Sequence, residues 1–282
     1  MNSMTVDEAL DYGRTLLALS PTPYLDARLL LQHVLRQPHS YLVAHHNAPL
    51  TSGQEADYRQ LLERARQQEP IPYLIGSAPF FDFELEVNPA VLIPRPETEQ
   101  LVETAVNWAT SHRVTRVADI GTGSGAIAIA LARQLPNAAV EAVDLSPQAL
   151  AVARRNAARL APGRIQFYQG DLLTPLAPGL DGIVANLPYV TDGEWTALAD
   201  GVKWYEPALA LQGGPDGLDL IRRLLAQAGS KLALGGAVFL EIGWQQGTAV
   251  THLAHTFFPE AQVTVQADFA GHDRIVVVKI GK

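Results

Sequence analysis

The stretch Val117-Ala118-Asp119-Ile120-Gly121-Thr122-Gly123-Ser124-Gly125 decides the fold. Residues 116–120 read as a short apolar strand, and residues 127–135 read as a helix. A glycine loop between a strand and a helix turns tightly and lets a ligand approach the backbone without meeting a Cβ. The next strand, residues 139–143, ends at Asp144. An acid about 20 residues beyond such a loop is placed to accept hydrogen bonds from both hydroxyls of a ribose. Loop and acid together point to a nucleotide-like ligand in the crevice at the carboxyl ends of the strands.

Outward from the loop, helices and strands alternate. Leu101, Val102, Ala105 and Val106 form one helical face. Ser146-Pro147 is a cap followed by a proline suited to the first turn of a helix that carries Leu150, Ala153, Ala157 and Leu160. Residues 165–168, 182–185 and 237–242 read as further strands. Residues 263–265 and 275–280 follow without an intervening helix, so they pair antiparallel. A βαβα run implies an α/β fold, a parallel sheet covered by helices on both faces.

Residues 1–70 read differently, as a small helical domain. Ala27, Leu30, Leu31 and Val34 recur at helical spacing, as do Tyr58, Leu61, Leu62 and Ala65, the latter run opening with Ser52 and Glu55 in capping-box register. Residues 71–94 form a linker and a β-hairpin: Gln68-Glu69-Pro70-Ile71-Pro72 breaks the pattern, Phe81, Phe83, Leu85 and Val87 alternate, and Val91, Leu92 and Ile93 supply a second strand. Residues 95–282 make up the larger, α/β domain.

Composition narrows the class. The chain has 282 residues, 48% of them hydrophobic and 18% charged, enough for a packed core. No apolar run approaches the roughly 18 residues of a membrane span. The start, at Met1 or Met4, is neither basic nor apolar and does not read as a secretory signal, so a cytoplasmic location is expected. Cysteine is absent, which excludes disulfides, thiolate metal sites and a cysteine nucleophile. A net charge of -8 argues against holding nucleic acid by bulk electrostatics. His45-His46 cannot share a helical face, and His252 and His255 have no carboxylate pattern beside them, so no metal site is expected.

Charge bears on the ligand. Gly121, Gly123 and Ala126 also satisfy a looser dinucleotide pattern, so a nicotinamide dinucleotide stays open. Asp119 argues otherwise, because an anionic pyrophosphate is awkward beside a carboxylate, whereas S-adenosylmethionine carries an ammonium and a sulfonium. Asp119, Asp144 and Asp171 all read as strand ends, which makes the crevice acidic.

A second constellation, Asn186-Leu187-Pro188-Tyr189, follows the fourth strand and faces the same crevice. The Asn186 side-chain oxygen can accept a hydrogen bond from an NH₂ group. Pro188 holds Leu187 extended, so the Leu187 carbonyl can point at a ligand. Tyr189 offers a flat face for a planar amide or base. The set suits a planar nitrogen whose lone pair is delocalised.

The glycine loop, Asp144 and this tetrapeptide resemble Rossmann-like S-adenosylmethionine methyltransferases that act on amino nitrogens. Val91-Leu92-Ile93-Pro94-Arg95-Pro96-Glu97-Thr98-Glu99 is similar to the signature of the HemK-type protein-(glutamine-N5) methyltransferases of peptide-chain release factors. Glu206-Pro207, Gly213-Gly214, Asp216-Gly217-Leu218, Glu241-Ile242-Gly243 and Gly271-His272-Asp273-Arg274 fit the same family. The resemblance implies methyl transfer to the glutamine of a Gly-Gly-Gln motif, with release factors as protein partners and the helical domain recognising them. It implies cofactor contacts from Asp119, Gly121, Thr122, Gly123, Ser124, Gly125, Asp144, Asp171, Leu172 and Asn186. Asn186, Leu187, Pro188 and Tyr189 would be catalytic and substrate-binding. Arg95 would border the substrate channel or tie the hairpin to the catalytic domain through an ion pair. Two positions depart from the family: Leu187 stands where proline is usual, and Leu172 where some relatives place an aromatic residue. The resulting Asn-Leu-Pro-Tyr is also typical of rRNA adenine dimethyltransferases. The alternatives are therefore an RNA adenine N6-methyltransferase or a non-catalytic S-adenosylmethionine-binding regulator.

Overall fold

A computed structural model of the protein describes residues 3–198 and 200–281. They fall into two units, one formed by residues up to Ser77 with residues 200–205, the other by residues 78–198 and 206–281. Met1, one of the two candidate starts, lies outside the described residues.

The first unit is helical, with α1 (Val6–Leu16), α2 (Pro23–Leu35), α3 (His39–Ala44), α4 (Ser52–Arg66) and α5 (Ile71–Ile75). Its core gathers Val6, Leu10, Leu30, Leu31, Tyr58 and Leu62. Gly13 marks a close helix approach: a Cβ there would lie 2.2 Å from the Tyr58 hydroxyl, which donates to the Ala27 carbonyl at 3.1 Å. Two expectations shift. The capping box of α4 is Thr51 with Gln54, one residue before Ser52 and Glu55. The Thr51 hydroxyl accepts from the Gln54 N–H, and the Gln54 side chain accepts from the Thr51 N–H. The stretch around Pro70 is not an open linker either. It runs into α5, whose first turn takes Pro72 because the N–H it lacks has no partner there anyway.

The second unit opens on a two-stranded sheet, β1 (Ser77–Phe80) with β2 (Phe83–Glu86). This hairpin lies earlier than expected. Phe81 sits in its turn at φ +51°, and Val91-Leu92-Ile93 form no strand. Val91 and Ile93 are buried and Leu92 is less so, which mimics strand alternation. The Ile93 N–H, however, goes to the Glu206 carboxylate at 3.2 Å instead of to a ladder.

Then follow α6 (Pro96–His112), β3 (Arg116–Ile120), α7 (Ala126–Gln134), β4 (Ala139–Asp144), α8 (Pro147–Leu160), β5 (Ile165–Gln169), β6 (Leu180–Asn186) and α9 (Asp192–Ala197). The helix α10 (Asp200–Tyr205) belongs to the first unit. The chain continues with α11 (Asp219–Ala228), β7 (Leu232–Glu241), α12 (Gly247–Phe257), β8 (Gln262–Ala267) and β9 (Asp273–Lys279). Strand order is β5-β4-β3-β6-β7-β9-β8. The strands from β5 to β7 are parallel, and β9 runs antiparallel to both β7 and β8. This is the expected Rossmann-like α/β sheet.

Side chains alternate across it. Ile120, Ile183, Ala185, Val238 and Leu240 pack with Ile221, Leu224 and Leu225 of α11 and Val250 of α12. On the other face, Phe239 meets Trp108 of α6 at 5.4 Å between ring centroids. Helix α11 was not anticipated, although Ile221, Leu224, Leu225 and Ala228 have helical spacing and are all buried. Among the described residues no helix is long and apolar enough to cross a membrane.

Candidate active site

The sheet grows from β3 to β5 on one side and through β6 and β7 on the other, and a crevice opens where that order reverses. Ile120 is paired with Val143 of β4 and Ala185 of β6. The residues that come next, Gly121, Asp144 and Asn186, therefore emerge side by side. A cavity of ≈ 450 Å³ lies there, and Gly121, Gly123, Asp144, Asp171, Leu172, Asn186, Leu187 and Pro188 all line it.

At φ +77°, a Cβ on Gly121 would lie 3.2 Å from Leu187 Cδ2 and 3.7 Å from the Asn186 carbonyl oxygen. The Gly123 N–H donates to Asp144 Oδ2 at 2.8 Å, and the Ser146 N–H donates to Oδ1 at 2.9 Å. These donors do not exhaust the lone pairs of the carboxylate. Burial raises the Asp144 pKa, opposed by the N–H donors of Gly123, Ser146 and Leu145. Asp171 pairs with Arg223. Leu172 is buried at φ +52°.

Asp119, Thr122, Ser124 and Gly125 do not line the cavity; they shape the loop behind it. Asp119 lies one residue inside β3, and Asp171 two residues past β5, so of the three acids only Asp144 ends its strand. Asp119 is fully buried. Its Oδ2 accepts from the Thr122 hydroxyl at 2.6 Å and the Ala128 N–H at 3.0 Å, while Oδ1 has no partner among the described residues. Burial pushes its pKa up to about 7; the Thr122 and Ala128 donors oppose this, and the Asp144 charge adds to it. The Ser124 carbonyl accepts from the Asn156 side chain at 2.9 Å. Gly125 is set against α8, where a Cβ would lie 3.3 Å from Ala153.

The tetrapeptide is fastened from behind. Asn186 Nδ2 donates to Thr98 Oγ1 at 3.1 Å. The Thr98 hydroxyl donates to Glu241 Oε2 at 2.6 Å, and the Tyr189 hydroxyl donates to Glu241 Oε1 at 3.3 Å. Tyr189 lines a second cavity of ≈ 590 Å³, together with Trp244, Gln246 and Arg274. Burial, then the Glu241 charge, raises the Tyr189 hydroxyl pKa. Burial raises Glu241, opposed by the Thr98 hydroxyl, the Arg274 charge and the Tyr189 hydroxyl. In the sequence Thr98 and Glu241 stand in separate signatures, and nothing local marks them as partners.

Arg95 lines neither cavity. It is ion-paired at 2.5 Å with Glu206, whose carboxylate also receives the Ile93 N–H.

Comparison with known proteins agrees with the fold. Residues 8–76 match the family described as the PrmC N-terminal domain, and residues 98–201 match the Methyltransferase small domain. The release factor glutamine methyltransferase of Vibrio cholerae is 40% identical over 279 residues, covering 98% of this chain and 96% of that one. That of Bacillus anthracis is 37% identical over 283 residues, covering 98% and 100%. Among solved structures, the ribosomal protein L11 methylase of Lactobacillus delbrueckii subsp. bulgaricus has the same fold at a TM-score of 0.51. Its identity is 23%, over 69% of this chain and 83% of that one.

Proposed function

The chain belongs to the release factor glutamine methyltransferases, and on that footing we propose that it transfers a methyl group from S-adenosylmethionine to the side-chain N5 of the glutamine in the Gly-Gly-Gln motif of a peptide-chain release factor. The observation that carries this is the meeting of Gly121 and Asn186 at one cavity. Likeness to such enzymes over nearly the whole chain supports the glutamine reading over the RNA adenine and non-catalytic ones.

The residues present fit the cofactor. Gly121 and Gly123 give a wall without side chains. Asp144 keeps free lone pairs for ribose hydroxyls. Asp171 and Leu172 complete that side, with an apolar contact at Leu172. The unpartnered Oδ1 of Asp119, buried behind the loop, suits a cationic donor. When bound, S-adenosylmethionine supplies a methyl group on a sulfonium sulfur.

A carboxamide nitrogen is a weak nucleophile because its lone pair is conjugated with the carbonyl, so the protein's contribution is orientation. Asn186 Oδ1 and the Leu187 carbonyl accept from the substrate NH₂ and hold its plane. Well-oriented reactants can lower a barrier by up to about 7–11 kcal/mol in ideal cases. The helical unit recognises the release factor.

Incubation with labelled S-adenosylmethionine and a release factor tests the reading. Label should appear on the factor and vanish when its Gly-Gly-Gln glutamine is replaced by alanine; label that persists would refute it. Cross-linking of the full-length enzyme to the factor should yield peptides from residues 3–77, and their absence would count against the helical unit as the recognition element.

A further inference from the structure

We propose that Thr98 and Glu241 are positioning residues that decide which atom of the Asn186 carboxamide faces the substrate. The inference rests on the reading above, in which Asn186 grips a substrate amide.

A hydroxyl has one hydrogen. That of Thr98 is committed to Glu241 Oε2 at 2.6 Å, so Thr98 Oγ1 presents only lone pairs to Asn186. The group of Asn186 that meets it must be the NH₂, and Nδ2 does so at 3.1 Å. The carbonyl half, Oδ1, is then left for the cavity that Asn186 lines. This is the half a substrate NH₂ needs, since it offers donors and requires an acceptor.

The chain of bonds depends on a carboxylate at its far end. Were Glu241 neutral, it could give its own proton to Thr98 Oγ1. The Thr98 hydrogen would turn to Asn186, the carboxamide would invert, and NH₂ would face NH₂ across the cavity. Glu241 is held in place by the sheet: in register it is the partner of Asn186 on β6 and of Ile275 on β9. Its other oxygen receives the Tyr189 hydroxyl at 3.3 Å, so one carboxylate fastens both ends of the Asn186–Tyr189 segment.

The groups that act on Glu241 come from each element around it. Thr98 and Glu97 belong to α6, Tyr189 follows β6, and Arg274 is on β9. The Thr98 and Tyr189 hydroxyls and the Arg274 charge favour the ionised form; burial, and to a lesser degree Glu97, oppose it. Glu241 therefore takes up a proton at a higher pH than an exposed glutamate, and the grip on the amide loosens as pH falls through that value.

The test is steady-state methyl transfer to a release factor by wild type, Thr98→Val, Thr98→Ser and Glu241→Gln, with S-adenosylmethionine affinity measured by calorimetry. Thr98→Val should lower kcat about ten- to a hundred-fold with cofactor affinity unchanged, and Thr98→Ser should restore most of it. Wild-type kcat should fall on the acid side at a pH above the ordinary glutamate range, and Glu241→Gln should be slow at all pH values and lack that fall. Wild-type turnover by Thr98→Val, or an acid limb unchanged in Glu241→Gln, overturns the proposal. If Thr98→Val loses cofactor affinity, the pH profiles of wild type and Glu241→Gln still decide. A wild-type enzyme that leaves the factor unlabelled overturns the underlying reading, a different result from either.

Discussion

Gly121 follows β3 and Asn186 ends the neighbouring parallel strand β6, and a Cβ added to Gly121 would lie 3.7 Å from the Asn186 carbonyl oxygen. The glycine loop and the segment proposed to grip the amide thus lie close together. Gly121→Ala should disturb both. Its φ of +77° is strained for an L residue, and the added methyl would press on Leu187 Cδ2 at 3.2 Å. Stability should fall by about 1–2 kcal/mol, read from denaturant midpoints. S-adenosylmethionine affinity should drop by about ten-fold or more, read by calorimetry.

Asp144 organises the loop as well as facing the cavity. Asp144→Ala removes the acceptor for the Gly123 and Ser146 N–H groups. Losing hydrogen bonds to a charged group is worth about 1.5–3 kcal/mol, so cofactor affinity should fall roughly ten- to a hundred-fold. Calorimetry with S-adenosylhomocysteine measures the loss independently of turnover.

Asp119 gives a pH signature. In the folded chain it keeps its proton up to about pH 7, whereas an unfolded aspartate gives it up near pH 4, to within about a unit. Between those values the native state binds the extra proton. The group's contribution to stability is therefore complete in acid and fades as pH rises through its folded value. Compared with Asp119→Asn, which does not titrate, the wild type should lose stability from pH 4 to pH 7 with a slope of at most about 1.4 kcal/mol per pH unit. Denaturant unfolding at closely spaced pH values checks this, and a constant gap between the two proteins would contradict it.

The Arg95–Glu206 pair predicts non-additivity. Glu206 is buried, so Arg95→Ala leaves its carboxylate, among the described residues, with the Ile93 N–H as its compensation. That should cost about 3 kcal/mol. The double variant Arg95→Ala/Glu206→Ala should cost less than the two single changes combined, since it leaves no stranded charge. A double-mutant cycle on unfolding free energy measures the coupling.

The parts that could be read in advance are those written in local sequence. The strand at 116–120, its glycine loop and Asp144 each depend on residues close together, and the parallel sheet follows from their alternation. The hairpin was displaced because Val91 and Ile93 bury alternate side chains without ladder bonds, and side-chain pattern alone does not reveal where an N–H goes. The cap of α4 slipped by one residue because Thr51-Ser52 and Gln54-Glu55 offer the same chemistry in two registers. The Thr98–Glu241 bond joins residues far apart in the chain. It depends on how α6 packs against β7, and no spacing rule encodes that. Gln246 Nε2 likewise donates to the Tyr189 carbonyl, at 3.0 Å, across a long stretch of chain.

The strand carrying Glu241 lies between β6, made before it, and β9, made some thirty residues after it. Because a chain leaves the ribosome amino end first, the glycine loop and Asn186 are already outside while β7 still has one open edge. The carboxylate at its tip is enclosed only once Ile275 has arrived. The surroundings of Glu241 are thus completed later in synthesis than those of Gly121 and Asp144.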